Sequence, residues 1–268
     1  MKSIGIIAGN GLLPLRVAAA IREEGHSVFS CCIEGETDPS LPSISDSHTW
    51  VKLGELKKTY NYFEQHGVDE AVFIGKITKT SIFAGHIKPD VDMVFLFSTL
   101  PNRNDDTILA GICDYFEKKG VHIIDSTTYL KSCMPPLGCL TKKKPSKKEK
   151  EDIQFGWVLA KESARLDIGQ SVVVKDKTIL AVEAIEGTDQ AIARGGLLGG
   201  ENGIVIKVEK PQQDMRFDVP TIGKGTIHAM RDAKMKVLAF EANKTLFVDM
   251  DEVIKEANDN NIIIVGWE

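Results

Sequence analysis

The feature that most constrains this chain is the rhythm of its first half, where short apolar strands alternate with helices that stop at glycine. Residues 4–8 read as a buried strand, and residues 13–24 as a helix ended by Gly25. Residues 28–33 form a second strand and 51–54 a short one. Residues 57–66 read as a helix stopped by Gly67, and 70–75 as another strand. A helix over 105–119 follows, capped by Asp105 or Asp106 and stopped by Gly120, and 121–124 return to strand. Strands that are apolar on both faces and separated by helices pair in parallel beneath helices on both sides. The first half is therefore expected to be an α/β domain with a parallel sheet.

The texture then changes. Met134-Pro135-Pro136-Leu137-Gly138 is a turn-rich break, and residues 141–150 (TKKKPSKKEK) hold six lysines and one glutamate. This places a first domain at 1–132, a linker at 133–150 and a second domain at 151–268. The lysine run reads either as a solvated linker or as a patch facing anionic lipid, where each Lys contributes about 1 kcal/mol. Beyond it, 151–166 fits a helix, and 171–175 with 178–184 fits a hairpin turning at Asp176-Lys177. Strands at 204–208, 237–240, 245–248 and 262–265 alternate with helices at 226–233 and 251–258. Hairpins among crossovers predict a mixed sheet.

Composition narrows the classes of function. The 268 residues, 43% hydrophobic and 26% charged, are enough for two ordinary cores. No apolar run approaches the ~20 residues of a membrane helix. The start, MKSIGIIAGNG, lacks the apolar stretch of a secretory signal, so the chain is expected in the cytoplasm. A net charge of −5 argues against a nucleic-acid binder. The five cysteines are odd in number, with no CxxC, and the six histidines are not spaced as ligands. Neither a zinc site nor a disulfide framework is expected.

Four segments are dense in functional groups. Gly9-Asn10-Gly11-Leu12-Leu13-Pro14 follows a strand and opens a helix, where a glycine turn suits a phosphate. Pro14 replaces the third glycine of a dinucleotide fingerprint, and Glu34 or Glu36 only loosely supplies the acid about 20 residues on. An NAD(P)-linked oxidoreductase is the main alternative built on this turn. The second segment, VEAIEGTDQAIARGG, carries Glu183 and Glu186 off a strand. It caps a helix with Thr188 beside Asp189 and ends at Arg194, Gly195 and Gly196, an arrangement suited to phosphate or metal. The third runs from Lys210 to Pro220 between two prolines and contains Gln213, Asp214, Arg216 and Asp218. Carboxylates are the hard ligands Mg²⁺ takes, and Lys210 and Arg216 suit phosphate oxygens. The fourth, FEANKTL, presents Glu241 near a turn.

Taken together, IGIIAGNGLLP, VEAIEGTDQAIARGG, KPQQDMRFDVPTIGKGT and LAFEANKTLFVD resemble the LpxI-type UDP-2,3-diacylglucosamine pyrophosphatases of lipid A biosynthesis, in order and spacing, over nearly the whole chain. Gln212-Gln213 stands where Gly-Gln is expected, and the lysine run is heavier, but neither departure touches the acidic or basic positions. The resemblance implies a Rossmann-like N-terminal domain and a distinct C-terminal α/β catalytic domain, with lipid in the crevice between them. It implies Mg²⁺-dependent hydrolysis of a membrane-anchored nucleotide sugar to UMP and lipid X, by water attacking the phosphorus nearer the sugar. An essential aspartate is implied within 214–218. Asp218 is favoured, with Asp214 the alternative, and Asp189 joins them as a candidate metal ligand. Substrate contacts are expected at Gly9, Asn10, Gly11, Thr188, Asp189, Arg194, Gly195, Gly196, Lys210, Gln213, Arg216 and Glu241. For the acyl chains, Leu197, Leu198, Phe217, Ile82, Phe83, Val94, Phe95 and Phe97 are candidates. Such an enzyme would dock transiently at the inner face of the cytoplasmic membrane, and a homodimer is plausible. The third reading is a non-catalytic carrier that binds the substrate and leaves it whole.

Overall fold

Five parallel strands dominate the first half of the computed structural model, which describes residues 1–77, 88–102 and 105–268. The chain divides into two units, Met1–Leu130 with Met215–Asp218, and Lys131–Asp214 with Val219–Glu268. In the first unit, β1 (Ser3–Ala8), β2 (Ser27–Ile33), β3 (Ser47–Val51), β4 (Glu70–Ile74) and β5 (His122–Ile123) lie in the order β3-β2-β1-β4-β5. Helices α1 (Leu13–Glu23), α2 (Leu56–Gln65), α3 (Val91–Thr99) and α4 (Asp105–Lys118) accompany them. Strand β1 is buried along almost its whole length, as its unbroken apolar run requires. A Cβ on its Gly5 would sit 2.8 Å from the Phe63 ring of α2, so glycine lets that ring lie against the sheet.

Two features of this unit depart from the sequence reading. Strand β3 falls at Ser47–Val51, not 51–54, and its half-exposed residues fit an edge position. Helix α3 was not foreseen. Val91, Val94 and Phe95 are exposed while Met93 is buried, so its sequence carries no clear apolar stripe. The Asp90 carboxylate caps it, accepting from the Met93 N–H at 2.9 Å, and also accepts from the Lys57 N–H at 2.6 Å.

The second unit holds the mixed sheet. Strands β6 (Gly138–Cys139), β7 (Ser171–Lys175), β8 (Thr178–Val182), β9 (Ile204–Lys207), β11 (Val237–Glu241) and β13 (Ile263–Trp267) take the order β6-β13-β11-β9-β7-β8. Strands β9, β11 and β13 are parallel, while β6, β7 and β8 run antiparallel to their neighbours. A separate pair, β10 (Thr221–Ile222) and β12 (Leu246–Phe247), is also parallel. Helix α5 (Lys147–Arg165) packs Ile153, Ala160 and Ala164 against Val172, Val174, Ile204 and Ile206. Helices α6 (Thr188–Gly199), α7 (Lys224–Asp232) and α8 (Met250–Asp259) contribute to the core holding Val173, Val205 and Leu238. The hairpin turn falls at Asp176 and Lys177, both left-handed, and the Asp152 carboxylate accepts both of their N–H groups, at 3.0 and 2.8 Å.

The lysine-rich stretch is not a linker. Gly138–Cys139 adds an antiparallel edge to β13, and Lys142 N–H donates to Asn258 Oδ1 at 2.9 Å. Helix α5 begins at Lys147, earlier than expected, because Ser146 and Glu149 form a reciprocal capping box. All six lysines are exposed. Conversely, Met215–Asp218 belongs to the first unit. Ser126 donates both its N–H and its hydroxyl to the Met215 carbonyl, at 3.1 and 2.9 Å, and Phe217 packs on that unit's core.

Gly67 and Gly75 are both left-handed, but a Cβ on Gly67 meets open space whereas one on Gly75 falls 2.7 Å from the Gly9 carbonyl carbon. Gly67→Ala is expected to cost about 1–2 kcal/mol. Gly75→Ala is expected to cost clearly more, because backbone has to move. Urea unfolding of the two variants side by side measures the difference.

Candidate active site

The sheet of the second unit carries a polar row at one end. Strand β7 begins at Ser171, whose carbonyl accepts from the Glu183 N–H at 2.9 Å on one side, and Ser171 pairs with Lys207 of β9 on the other. Paired residues share a face, so Glu183, Ser171 and Lys207 line up across three strands. All three are buried, at 8, 1 and 6% exposure, where neighbouring positions are valine, isoleucine and alanine. Thr188, the first residue of α6, lies among them. Its hydroxyl donates to Glu183 Oε1 at 2.9 Å and accepts from Lys207 Nζ at 3.1 Å, with Ser171 Oγ 3.4 Å away. Glu183 Oε2 is buried without a hydrogen-bond partner. The preceding residue, Gly187, adopts φ 85° and has no side chain to cap the helix. The N–H groups of that first turn therefore lack a side-chain cap.

The rest of α6 serves packing. A Cβ on Gly195 would sit 2.6 Å from Val173, and one on Gly196 2.8 Å from the Ala233 carbonyl. These glycines bring α6 close to β7 and to the end of α7. Arg194 donates to the Val182 carbonyl at 2.8 Å and to Glu186 Oε1 at 2.5 Å. The Glu186 carboxyl lies below its usual range because a backbone N–H and the Arg194 guanidinium favour its charged form. Asp189 occupies the first turn of α6.

Glu241, at the end of β11, is already engaged. Both its oxygens accept from Lys161 Nζ at 2.8 Å, and Oε2 also accepts from the Glu209 N–H at 2.8 Å. The neighbouring Lys244 pairs with Glu209 at 3.0 Å. This ties α5, β11 and the exit of β9 together.

The proline-bracketed loop opens with a tight turn. Gln213 Oε1 accepts from the Lys210 N–H at 2.9 Å and the Gln213 N–H donates to the Lys210 carbonyl at 3.0 Å, leaving Gln213 Nε2 buried without a partner. Lys210 Nζ also pairs with Asp167 at 2.8 Å. Asp214, Arg216 and Asp218 are each half-buried. Asp214 belongs to the second unit, and Arg216 and Asp218 to the first.

The glycine turn of the first unit is built for close backbone packing. The Gly9 N–H donates to the Ile74 carbonyl at 2.8 Å and the Asn10 N–H to the Lys76 carbonyl at 2.7 Å, so neither is left for a phosphate. A Cβ on Gly9 would lie 2.6 Å from the Lys76 carbonyl oxygen. Gly11, at φ 103°, faces open space, and Pro14 lies in the first turn of α1.

Residues 3–133 match the LpxI N-terminal domain family and residues 136–265 the LpxI C-terminal domain family. The chain belongs to the LpxI family. It is 32% identical over 277 residues to the UDP-2,3-diacylglucosamine pyrophosphatase LpxI of Caulobacter vibrioides (strain ATCC 19089 / CIP 103742 / CB 15), covering 99% of this chain and 98% of that protein. Similar solved structures are more remote. An ADP complex of N5-carboxyaminoimidazole ribonucleotide synthetase gives a TM-score of 0.31 at 14% identity over 64% of this chain and 31% of that one. An NAD-bound UDP-glucose-4-epimerase from Stenotrophomonas maltophila gives 0.29 at 11% identity over 45 and 35%.

For this LpxI member, Lys207 and Ser171 are the members of the row that sequence reasoning missed, whereas Glu183 and Thr188 lie in the second segment it singled out. Lys207 ends a valine- and isoleucine-rich strand, where a lysine ordinarily marks a solvated tip, and its burial depends on partners 19 and more positions away. Among the described residues no three His, Cys, Asp or Glu side chains gather as around a caged metal. The donors on the 210–220 loop still fit Mg²⁺, which takes one or two carboxylates and keeps water and phosphate oxygens for the rest. Of the acyl-chain candidates, Leu197 and Leu198 are exposed on α6 and Val94 and Phe95 on α3, while Phe97 and Phe217 pack on the first unit's core. Ile82 and Phe83 lie outside the described residues.

Glu241→Ala is expected to destabilise the protein by about 2 kcal/mol, since it removes hydrogen bonds to a charged amine and a backbone N–H together. Lys244→Ala, which breaks only a half-exposed pair, is expected to cost under about 1 kcal/mol. Thermal unfolding of both variants tests the ranking.

Proposed function

We propose that this protein hydrolyses the pyrophosphate bond of UDP-2,3-diacylglucosamine, with Mg²⁺, to UMP and 2,3-diacylglucosamine 1-phosphate. The observation that carries the reading is the match of both halves of the chain to the two LpxI domain families, with a pyrophosphatase relative aligned over nearly all of its length. The chemistry of the 210–220 loop supports it. A pyrophosphate diester carries two negative charges that repel attacking water. Mg²⁺, when bound, offsets that charge and lowers the pKa of a water molecule. Asp218 and Asp214 are the carboxylates that would hold it. Arg216 and Lys210 on the same loop supply cations for charge developing on the leaving phosphate. Arg194 is a weaker candidate, because Glu186 and the Val182 carbonyl already occupy it.

The substrate's acyl chains anchor it in a membrane, so the enzyme works at the cytoplasmic membrane's inner face. No helix among the described residues is long and apolar enough to cross a membrane, and the six exposed lysines between Lys142 and Lys150 offer a charged contact for anionic lipid. The NAD(P)-linked reading has less support, because the N–H groups of Gly9 and Asn10 are used within the fold.

The test is phosphorus NMR of the purified protein with UDP-2,3-diacylglucosamine, with and without Mg²⁺, beside Asp218→Ala. UMP and lipid X are expected from wild type with Mg²⁺ alone, and the variant is expected to lose about 100-fold or more in rate. Substrate left whole by wild type across several divalent metals would make the carrier reading the better one. Full activity in the variant would pass its role to Asp214 or Asp189. Separately, serine at the six lysines is expected to weaken sedimentation with anionic vesicles, and unchanged binding would sink the membrane contact.

A further inference from the structure

We propose that the outer face of α5 docks on an anionic lipid bilayer, with its apolar row entering the headgroup region beside the lysine-rich stretch; this rests on the membrane-bound substrate of the functional reading and names the face that meets the membrane. Helix α5 turns Ile153, Gly156, Ala160 and Ala164 inward. Its opposite side also carries apolar residues at helical spacing. Phe155, Val158 and Leu159 are exposed there, and Leu166 closes the same side of the helix at 58% exposure. Apolar residues scattered singly on a surface need no explanation. A row of them three and four apart, on the face turned away from the core, marks an interaction surface.

The charges around the row select its partner. The carboxylates there are already paired. Glu151 meets Lys177 at 2.9 Å, Glu162 meets Arg165 at 2.8 Å, and Asp176 of the adjoining hairpin meets Lys148 at 2.5 Å. The other lysines are unbalanced. Lys142, Lys143, Lys144, Lys147 and Lys150 are exposed and pair with no carboxylate among the described residues. Lys147, Lys148 and Lys150 also sit at the positive end of the helix dipole, an unfavourable place for a cation that a facing anionic surface relieves. The capping box at Ser146 and Glu149 makes these lysines part of the helix, so charge and apolar row share one rigid element. That is the composition of an interfacial helix, which buries apolar side chains at the boundary of headgroups and acyl chains while lysines meet lipid phosphates. A second copy of the chain fits this face less well. Antiparallel self-pairing centred on the row would bring Glu151 of each copy beside Glu162 of the other, and parallel pairing would set lysine against lysine.

The experiment is sedimentation with vesicles of phosphatidylcholine, with and without phosphatidylglycerol, in low salt and in about 1 M salt, where the Debye length falls to about 3 Å. Wild type is expected to bind the anionic vesicles about tenfold or more tighter than the neutral ones in low salt, and to keep part of that binding in high salt. Val158→Ser with Leu166→Ser changes two positions that are more than half exposed. It is expected to melt within a few degrees of wild type, to bind anionic vesicles about tenfold more weakly, and to lose the salt-resistant part. Its rate on UDP-2,3-diacylglucosamine dispersed in detergent is expected to be unchanged, while its rate on substrate held in vesicles falls. Val158→Trp is expected to be quenched by brominated lipid beyond wild type. Wild-type vesicle binding by the double variant at both salt concentrations, or no added quenching in Val158→Trp, overturns the proposal. If the double variant does not fold, the tryptophan measurement decides alone. A dimer in solution that the double variant splits, with vesicle binding unchanged, assigns the row to a second copy and overturns it equally. Should wild type leave detergent-dispersed substrate whole while its vesicle binding still depends on the row, the docking face stands and the pyrophosphatase reading falls.

Discussion

The second unit depends on the register of one four-residue strand. Ile204–Lys207 pairs parallel with β11 on one side and antiparallel with β7 on the other. That register sends Ile204 and Ile206 to the α5 face and Val205 to the face shared by α6, α7 and α8. Lys207 continues the second set. A slip of one residue would carry Lys207 to the α5 core and Ile206 to the helix end, exchanging the two faces at once. The apolar packing that fixes the sheet therefore also fixes the face on which Lys207 meets Thr188 at the start of α6.

Glycine does related work in both units. Gly9 and Gly75 bring the ends of β1 and β4 into backbone contact, which uses up N–H groups that a dinucleotide turn would leave exposed. Gly195 and Gly196 bring α6 against β7 and the end of α7. In each case the residue resembles a ligand cradle in sequence and acts as a spacer in the fold. The distinction rests on what the missing Cβ would strike, which is backbone and core side chains here, not an open cavity.

This shows what the sequence makes legible. Period and punctuation reveal the strands, the Asp176-Lys177 hairpin and the glycine-stopped helices, because each signal is local. Helix α3 stays hidden because its exposed Val91, Val94 and Phe95 erase the stripe that marks a helix. The start of α5 is obscured by lysines that read as linker, although the Ser146–Glu149 box is a local signal that outweighs them. The Lys210–Asp218 loop is conspicuous because its groups are crowded and proline-bracketed. Lys207 is not, since its contact with Thr188 joins residues 19 positions apart.

The acidic loop itself answers to two anchors. The turn at Lys210–Gln213 is closed by the Gln213 side chain within the second unit, whereas Met215 and Phe217, two and four residues on, belong to the first. Met215 is held by two hydrogen bonds from Ser126, each contributing about 1 kcal/mol net, and Phe217 by apolar packing. Asp214 thus takes its position from the turn that precedes it, and Asp218 from the core that Phe217 enters. Two carboxylates four positions apart in sequence can be held by independent parts of the fold, which is why spacing alone could not separate their roles.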